Sequence, residues 1–350
     1  MLDYIIVGCG LAGVAFAEHV QKHNRSFLII ADDSQNSSVI AAGLYNPVVL
    51  KRFTPVWNAQ VQLDLVSDFY SHLENKLNVK LDFKNRLFRK FTSVEEQNDW
   101  FAAADKNSLS DFLSTDLVKF VSNHIPAEFQ FGEVLQSGYL DTALLIETYK
   151  HFLLKNNKLL SESFQYNQLI CTDTIQYKEF RSKHIVFAEG FGIHKNPFFK
   201  NIPLDGTKGE LLIVHSPDLK VNEIVKSAIF LIPLGNDLYK VGANYNREDK
   251  TNIPTEEAKE ELLSELYKLI SIPFEIVQHN AGIRPTVRDR RPILGSHPKY
   301  SNMHILNGLG TRGVMLAPAM AADLFNYIEN DIPLDVTINI KRFKKWHATI

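Results

Sequence analysis

The residues that most constrain this chain are Gly8-Cys9-Gly10-Leu11-Ala12-Gly13, a glycine turn between the apolar run Tyr4-Ile5-Ile6-Val7 and an amphipathic stretch reaching Asn24. A second apolar run, Phe27-Leu28-Ile29-Ile30, follows and leads to Asp32 and Asp33. The order predicts a strand, a turn, a helix, a second strand and an acid. Each glycine then has its own steric reason to be there. Gly8 permits the tight turn, Gly10 lets a pyrophosphate approach the backbone, and Gly13 brings helix and strand together. The amides at the helix start, beginning at Leu11 and Ala12, hold the anion. Asp32 falls 19 residues after Gly13, near the spacing at which a carboxylate accepts from an adenosine ribose hydroxyl. The full unit, and not the glycines alone, points to a bound dinucleotide.

At 350 residues the chain exceeds what one compact core usually serves, so two domains or one elaborate α/β unit are expected. Its 38 basic and 40 acidic side chains give a formal charge of −2, which offers no global attraction to nucleic acid or to an anionic membrane and argues against a nucleic-acid partner. Two cysteines exclude a disulfide framework, and Cys9 inside the turn reads as a small packing residue; a reducing cytoplasm is the expected location. The apolar N-terminus lacks a basic leader and is broken by glycines, unlike a signal peptide. No apolar run reaches the length of a membrane span.

Helical spacing of Val61, Leu65, Phe69 and Leu73 predicts a core-packed helix between Val56 and Leu77, and Ser93-Val94-Glu95-Glu96 reads as an N-cap opening a helix through Trp100. Asp141 feeds a helix to about Leu154, and His184 to Ala188 is a buried strand. Residues 206–247 read as antiparallel strands, and Thr255 caps a helix to Ile270. The expected fold class is therefore α/β: a Rossmann-type nucleotide domain assembled from residues 1–78, 136–205 and 281–350, with an inserted mixed α+β substrate domain from 79–135 and 206–280.

A second glycine cluster, Gly308-Leu309-Gly310-Thr311-Arg312-Gly313, follows the run Met303 to Asn307 and precedes a helical stretch from Val314 to Ile328. Only 37 residues follow Gly313, too few for another βαβ domain. This cluster, through Val314 and Met315, reads better as a helix N-terminus whose free amides face an electron-rich part of a cofactor held by the first site.

Taken together, these segments resemble the FAD-dependent amine and amino acid oxidases of the D-amino acid oxidase and glycine oxidase type, over nearly the whole chain. Ala41-Ala42-Gly43-Leu44 is similar to that family's segment beside the flavin, and Lys208-Gly209-Glu210 to its strand leading into the substrate domain. Gly282, Arg284, Pro285, Asp289, Pro292 and Gly295 match its G-x-R-P-x-x-x-D-x-x-P-x-x-G signature. Asn307 to Pro318 resembles its closing flavin helix.

The resemblance implies noncovalent FAD, because neither cysteine lies near the closing motif, and backbone contacts to it from Phe164 and from Ala188 to Gly190. It implies that Arg284 pairs with a substrate carboxylate, as a planar guanidinium is suited to do. The alternative for Arg284 is a structural ion pair with Asp289 or a neighbour. The implied reaction is oxidation of the C–N bond of a small amino acid or N-substituted glycine by hydride transfer to flavin N5, with dioxygen or another acceptor. Such a step needs orientation and desolvation more than an acid or base. A related architecture oxidises a glycine-like group on a tRNA wobble uridine, and a non-catalytic flavin sensor is a third reading. No residue is assigned to a metal.

Three departures bear on the site. Phe230 stands where many such oxidases carry a tyrosine, and Tyr245 either substitutes for it or is an ordinary exposed or core tyrosine. Ala31 takes the favoured place of the ribose acid, which shifts that role to Asp32 or Asp33. Lys51 and Arg52 either hold a larger or more acidic substrate or are solvated surface charges.

Overall fold

The computed structural model describes residues 1–347, so the last three positions of the third nucleotide segment lie outside the described residues. An eight-stranded sheet carries the N-terminal unit. Strand Leu2–Val7 lies between the parallel strands Phe27–Ile30 and Phe180–Phe187, and Met303–Asn307 extends the parallel set beyond Phe180–Phe187. Apolar residues fill these strands on both faces, as a sheet covered by helices on each side requires. The register pairs Val7 with Ile30 and with Phe187, and Phe187 with Ile305, so the carboxyl ends of the four strands finish side by side. The turn at Gly8, the Asp32–Asp33 pair, the Ala188–Gly190 turn and the Gly308–Gly313 loop therefore share one edge, where α/β sheets bind ligands.

A second eight-stranded sheet is largely antiparallel. It runs in the order Glu275–Arg284, Thr207–His215, Leu238–Gly242, Phe230–Gly235, Ile224–Lys226, Leu87–Lys90, Phe131–Val134 and Leu113–Val118. Helix Glu256–Leu269 covers one face with Leu262, Leu266 and Leu269. Short strands Leu44–Tyr45, Gly138–Leu140 and Asp82–Lys84 form a small sheet beside the main ones, and Val48–Val49 pairs with Thr54–Pro55 as a hairpin.

Helix starts follow local chemistry. Ser93 Oγ accepts from the Glu96 amide at 3.1 Å, Asp141 Oδ1 from Leu144 at 3.0 Å, and Thr255 Oγ1 from Ala258 at 3.3 Å, each satisfying a donor that a helix end leaves free.

The helix expected from Val56 forms as Ala59–Leu77, but a different face is buried. Val61 and Leu65 are exposed, while Leu63, Val66, Tyr70 and Leu73 enter the core. Steps of four residues each advance the helix by about 40°, so Val61 and Leu73 end about 120° apart, whereas 63, 66, 70 and 73 stay within about 80°. The 3–4–3 spacing is the coherent stripe.

Helix Gly313–Glu329 contains Pro318, which has no N–H to give the Val314 carbonyl one turn earlier. The buried Tyr70 hydroxyl donates to that carbonyl at 2.9 Å. Tyr70→Phe should therefore cost about 1 to 3 kcal/mol, the penalty for a buried unpaired acceptor. Urea unfolding of the FAD-loaded protein measures it, and an unchanged midpoint would mean that the carbonyl finds another donor.

Candidate functional site

One chamber of about 2550 Å³ runs from the Gly8 turn to the end of the second sheet. Of the residues assigned from the sequence to cofactor or substrate, all but Gly13 line it. Gly13 serves packing instead: a Cβ there would stand 2.0 Å from the Gly8 carbonyl oxygen, and Gly8 itself has φ +105°.

At the nucleotide end, helix Leu11–Lys22 begins at Gly10 with no side-chain cap from that residue. Ser38 Oγ accepts from the Leu11 amide at 3.1 Å and lies 2.9 Å from where a Gly10 Cβ would be, so it shares the cradle with the turn. Ser38 sits outside any glycine motif, and nothing in the sequence signals it. Asp32 accepts from the Ser34 amide and hydroxyl and from Ser163, and these bonds hold its carboxyl below the usual range despite the opposing effect of burial. Asp33 is exposed and ion-paired with Lys150 at 2.6 Å. Of the two acids, Asp32 is the one oriented by neighbours at the cavity wall. Phe164 stacks on Tyr177 at 4.4 Å and stands edge-on to Phe187.

Glu189, inside the Ala188–Gly190 turn expected to touch the cofactor through its backbone, also places a buried side chain at the wall. Burial pushes its carboxyl up to about 7, against the lowering effect of bonds donated by Asn196 Nδ2 and the Tyr166 hydroxyl. Asn307 ties this corner to the closing loop: its Nδ2 donates to the Gly190 carbonyl at 2.9 Å and its Oδ1 accepts from the Gly308 amide at 2.8 Å. Cys9 is packed in the turn, and burial raises its thiol to about 12, so it is no nucleophile at neutral pH. Cys171 lies in strand Leu169–Cys171, away from the closing motif.

In the middle of the chamber pass Ala41 to Leu44. Lys240, from the second sheet, donates to the Ala41 carbonyl at 3.2 Å, and burial lowers its ammonium below the usual range. Lys226, from a neighbouring strand, is pushed down to about 8 by burial and then by the nearby Arg89 charge, with its Nζ donating to the carbonyls of Ser227 and Ala228. Both were invisible as site residues, because a lysine within an alternating strand reads as solvent-facing.

At the far end Arg284 closes strand Glu275–Arg284, opposite Thr207 in the register. Its guanidinium folds back over Gly209, where any Cβ would lie 1.9 to 2.2 Å from its atoms. Nη1 donates to the carbonyls of Lys208 at 3.3 Å and Asn244 at 3.4 Å. The structural ion pair with Asp289 does not form; Asp289 accepts instead from Arg342 at 2.8 Å. Burial lowers the Arg284 guanidinium below its usual range, as expected for a desolvated cation without a counterion. Tyr245 is 66% exposed and lays its ring 4.6 Å over that guanidinium. Phe230 is buried at the chamber wall.

The cradle is rigidly braced. Lys208 is 0% exposed, ion-paired with Asp249 and with Glu210, while Asn244 Oδ1 accepts from the Glu210 amide at 2.8 Å. Arg52 is exposed in the loop of the Val48–Pro55 hairpin and shares the rim with Arg247, Arg288 and Arg290. The near-neutral balance of the whole chain thus hides a locally basic opening.

A parallel sheet with its glycine turn at the carboxyl edge, a helix start beneath it with no cap from Gly10 and a long chamber reaching a second sheet defines a dinucleotide-binding α/β fold. The match of residues 3–326 to the family model "FAD dependent oxidoreductase", DAO, makes the assignment specific: the chain belongs to that family. It is an FAD-dependent oxidoreductase, and the cradle at Gly10 and Ser38 fits its cofactor.

The chain is 19% identical over 355 residues to the glycine oxidase of Bacillus subtilis, covering 94% of this chain and 93% of that protein. It is also 19% identical to the tRNA 5-methylaminomethyl-2-thiouridine biosynthesis bifunctional protein MnmC of Marinobacter nauticus, covering 93% of this chain but only 55% of that longer protein. Among solved structures, glycine oxidase from Geobacillus kaustophilus shares the fold with a TM-score of 0.76 at 17% identity, covering 95% of each chain. Among the described residues no helix is long and apolar enough to cross a membrane.

Proposed function

We propose that the protein oxidises the C–N bond of a small amino acid or N-substituted glycine, with dioxygen as the final acceptor. One observation carries this reading: Arg284 is a desolvated guanidinium that faces the chamber with two long carbonyl contacts, the Tyr245 ring and, among the described residues, no anion, so its strongest available partner is an incoming carboxylate. Bound FAD would supply a two-electron acceptor. The likeness to a glycine oxidase supports a substrate of this class.

The chain's own groups divide the remaining work. Arg284 would fix the carboxylate and so the orientation of the adjoining carbon, and Tyr245 would shield that pair from water. Phe230 offers an apolar wall and no hydroxyl, leaving the guanidinium to bear the carboxylate's charge. Residues 41 to 44 and the free backbone amides of 308 to 315 would hold the ring system between the two sheets.

Anaerobic mixing of the FAD-loaded protein with glycine, sarcosine, other N-alkyl glycines and D-amino acids tests the proposal. Bleaching of the flavin absorbance is expected with at least one of them, and hydrogen peroxide on admitting air. A flavin that stays oxidised with every member would overturn it.

The basic rim favours a second reading, in which the carboxylate belongs to a modified nucleoside of a tRNA. Arg247, Arg288 and Arg290 are exposed around the opening, and a phosphate backbone is the partner such a rim would attract. A gel shift with bulk tRNA at moderate salt, weakening steeply as salt rises, would favour it over the small-molecule substrate.

A further inference from the structure

Arg284 is not the only guanidinium in the chamber without an anion. Arg312, the residue preceding helix Gly313–Glu329, lines the same space, and among the described residues its side chain makes no hydrogen bond or ion pair. Burial lowers it below the usual guanidinium range, as it does Arg284. The two come from loops tied together, because the Gly310 amide donates to the Pro285 carbonyl at 3.1 Å. Tyr245 stands within electrostatic reach of both, and Arg290 within reach of Arg312. The one acid of the Arg284–Arg291 segment, Asp289, is turned toward Arg342 and neutralises neither.

A desolvated guanidinium left unpaired is costly, and a carboxylate held bidentately by one planar fork offers a second guanidinium only its outer lone pairs. A substrate with a single carboxylate on Arg284 would give Arg312 at most that poorer contact. We propose that the chamber is built for a substrate with two anionic groups: a glycine-like carboxylate on Arg284 and, across the amine nitrogen, a second carboxylate on Arg312, with Arg290 at its outer edge. The inference rests on the reading of Arg284 as a carboxylate site and names the class of substrate that would complete it, an N-substituted glycine whose substituent ends in an acid.

Two ether isosteres separate the inference from the reading beneath it, since neither has an amine to oxidise. Methoxyacetate carries one carboxylate, and diglycolate carries two on the same frame. Calorimetry on the FAD-loaded protein at moderate salt should give diglycolate at least about tenfold tighter binding than methoxyacetate. Arg312→Met should bring the diglycolate affinity down to near that of methoxyacetate, and Arg290→Met should remove a smaller part of the difference.

Equal affinities in the unsubstituted protein would overturn the two-anion inference while leaving the carboxylate reading intact. Failure of both ligands to bind would overturn both. If Arg312→Met released FAD with the isostere preference unaltered in any protein still loaded, the anion served by Arg312 would be the cofactor's, and the inference would fall.

Discussion

Gly13→Ala should yield protein that cannot retain FAD. The added methyl would sit 2.0 Å from the Gly8 carbonyl oxygen, a distance that Cβ atoms essentially never show, and a tight 3.0 Å from its carbon. Neither neighbour can retreat cheaply. The Gly8 amide is bonded to the Ile30 carbonyl at 2.9 Å, and its φ of +105° already occupies a region that only glycine tolerates well. Helix Leu11–Lys22 must therefore move off the sheet, carrying with it the amides that would face the pyrophosphate. Overpacking in a tight interior costs about 1 to 3 kcal/mol even where side chains can yield, and here the obstacle is backbone.

Gly10→Ala makes the informative contrast. Its Cβ meets only the Ser38 hydroxyl at 2.9 Å, which a rotamer change can relieve. The flavin absorbance of the two purified variants, with their thermal midpoints, measures the difference. Gly13→Ala is expected colourless and less stable, and Gly10→Ala of unchanged stability but poor in FAD, since its methyl would intrude only where the pyrophosphate approaches. A fully loaded Gly13→Ala protein would show that the close helix–strand approach is not what builds the cradle.

What was legible in the sequence was local chemistry. The glycine turn declares itself because three glycines at fixed spacing between a strand and a helix have distinct steric reasons to be there. Ser93, Asp141 and Thr255 declare helix starts because a short oxygen side chain satisfies amides three residues on, and each does so in the structure. Chemistry that depends on what packs across a sheet was not legible. Lys226 and Lys240 read as the wet side of a strand, yet Lys226 lines the chamber and Lys240 is buried against the Ala41 carbonyl. The buried stripe of Ala59–Leu77 was misplaced because steps of four drift around a helix.

Net charge misled in a similar way. It averages over the whole chain, while the segment from Arg284 to Arg291 gathers four arginines at one opening and surrenders its single acid to Arg342. Glu189 gave no sign of its buried state, since a Glu after a strand ordinarily faces water.

Removing the Arg284 side chain and crowding it should leave the same kinetic signature. Arg284→Ala deletes the cation proposed to hold the substrate carboxylate, and losing a buried charge-assisted pair costs about 2 to 5 kcal/mol, or roughly 30-fold to several thousandfold in kcat/KM. Gly209→Ala leaves the arginine in the sequence but takes its place, because the new methyl would lie 2.1 Å from the guanidinium carbon and 1.9 Å from Nη2. The strand carrying Gly209 is paired on both sides, to residues 275–284 and to 238–242, and cannot yield. The guanidinium must therefore lift from the carbonyls of Lys208 and Asn244 and from beneath the Tyr245 ring. Both variants should stay yellow, since neither residue belongs to the phosphate turn. Steady-state kinetics on whichever amine bleaches the flavin, compared with the fluorescence titration of FAD, separates the outcomes. A Gly209→Ala enzyme with undiminished kcat/KM would mean that Arg284 acts from a different position than the one its cradle defines, and an Arg284→Ala enzyme with undiminished kcat/KM would remove the carboxylate anchor altogether.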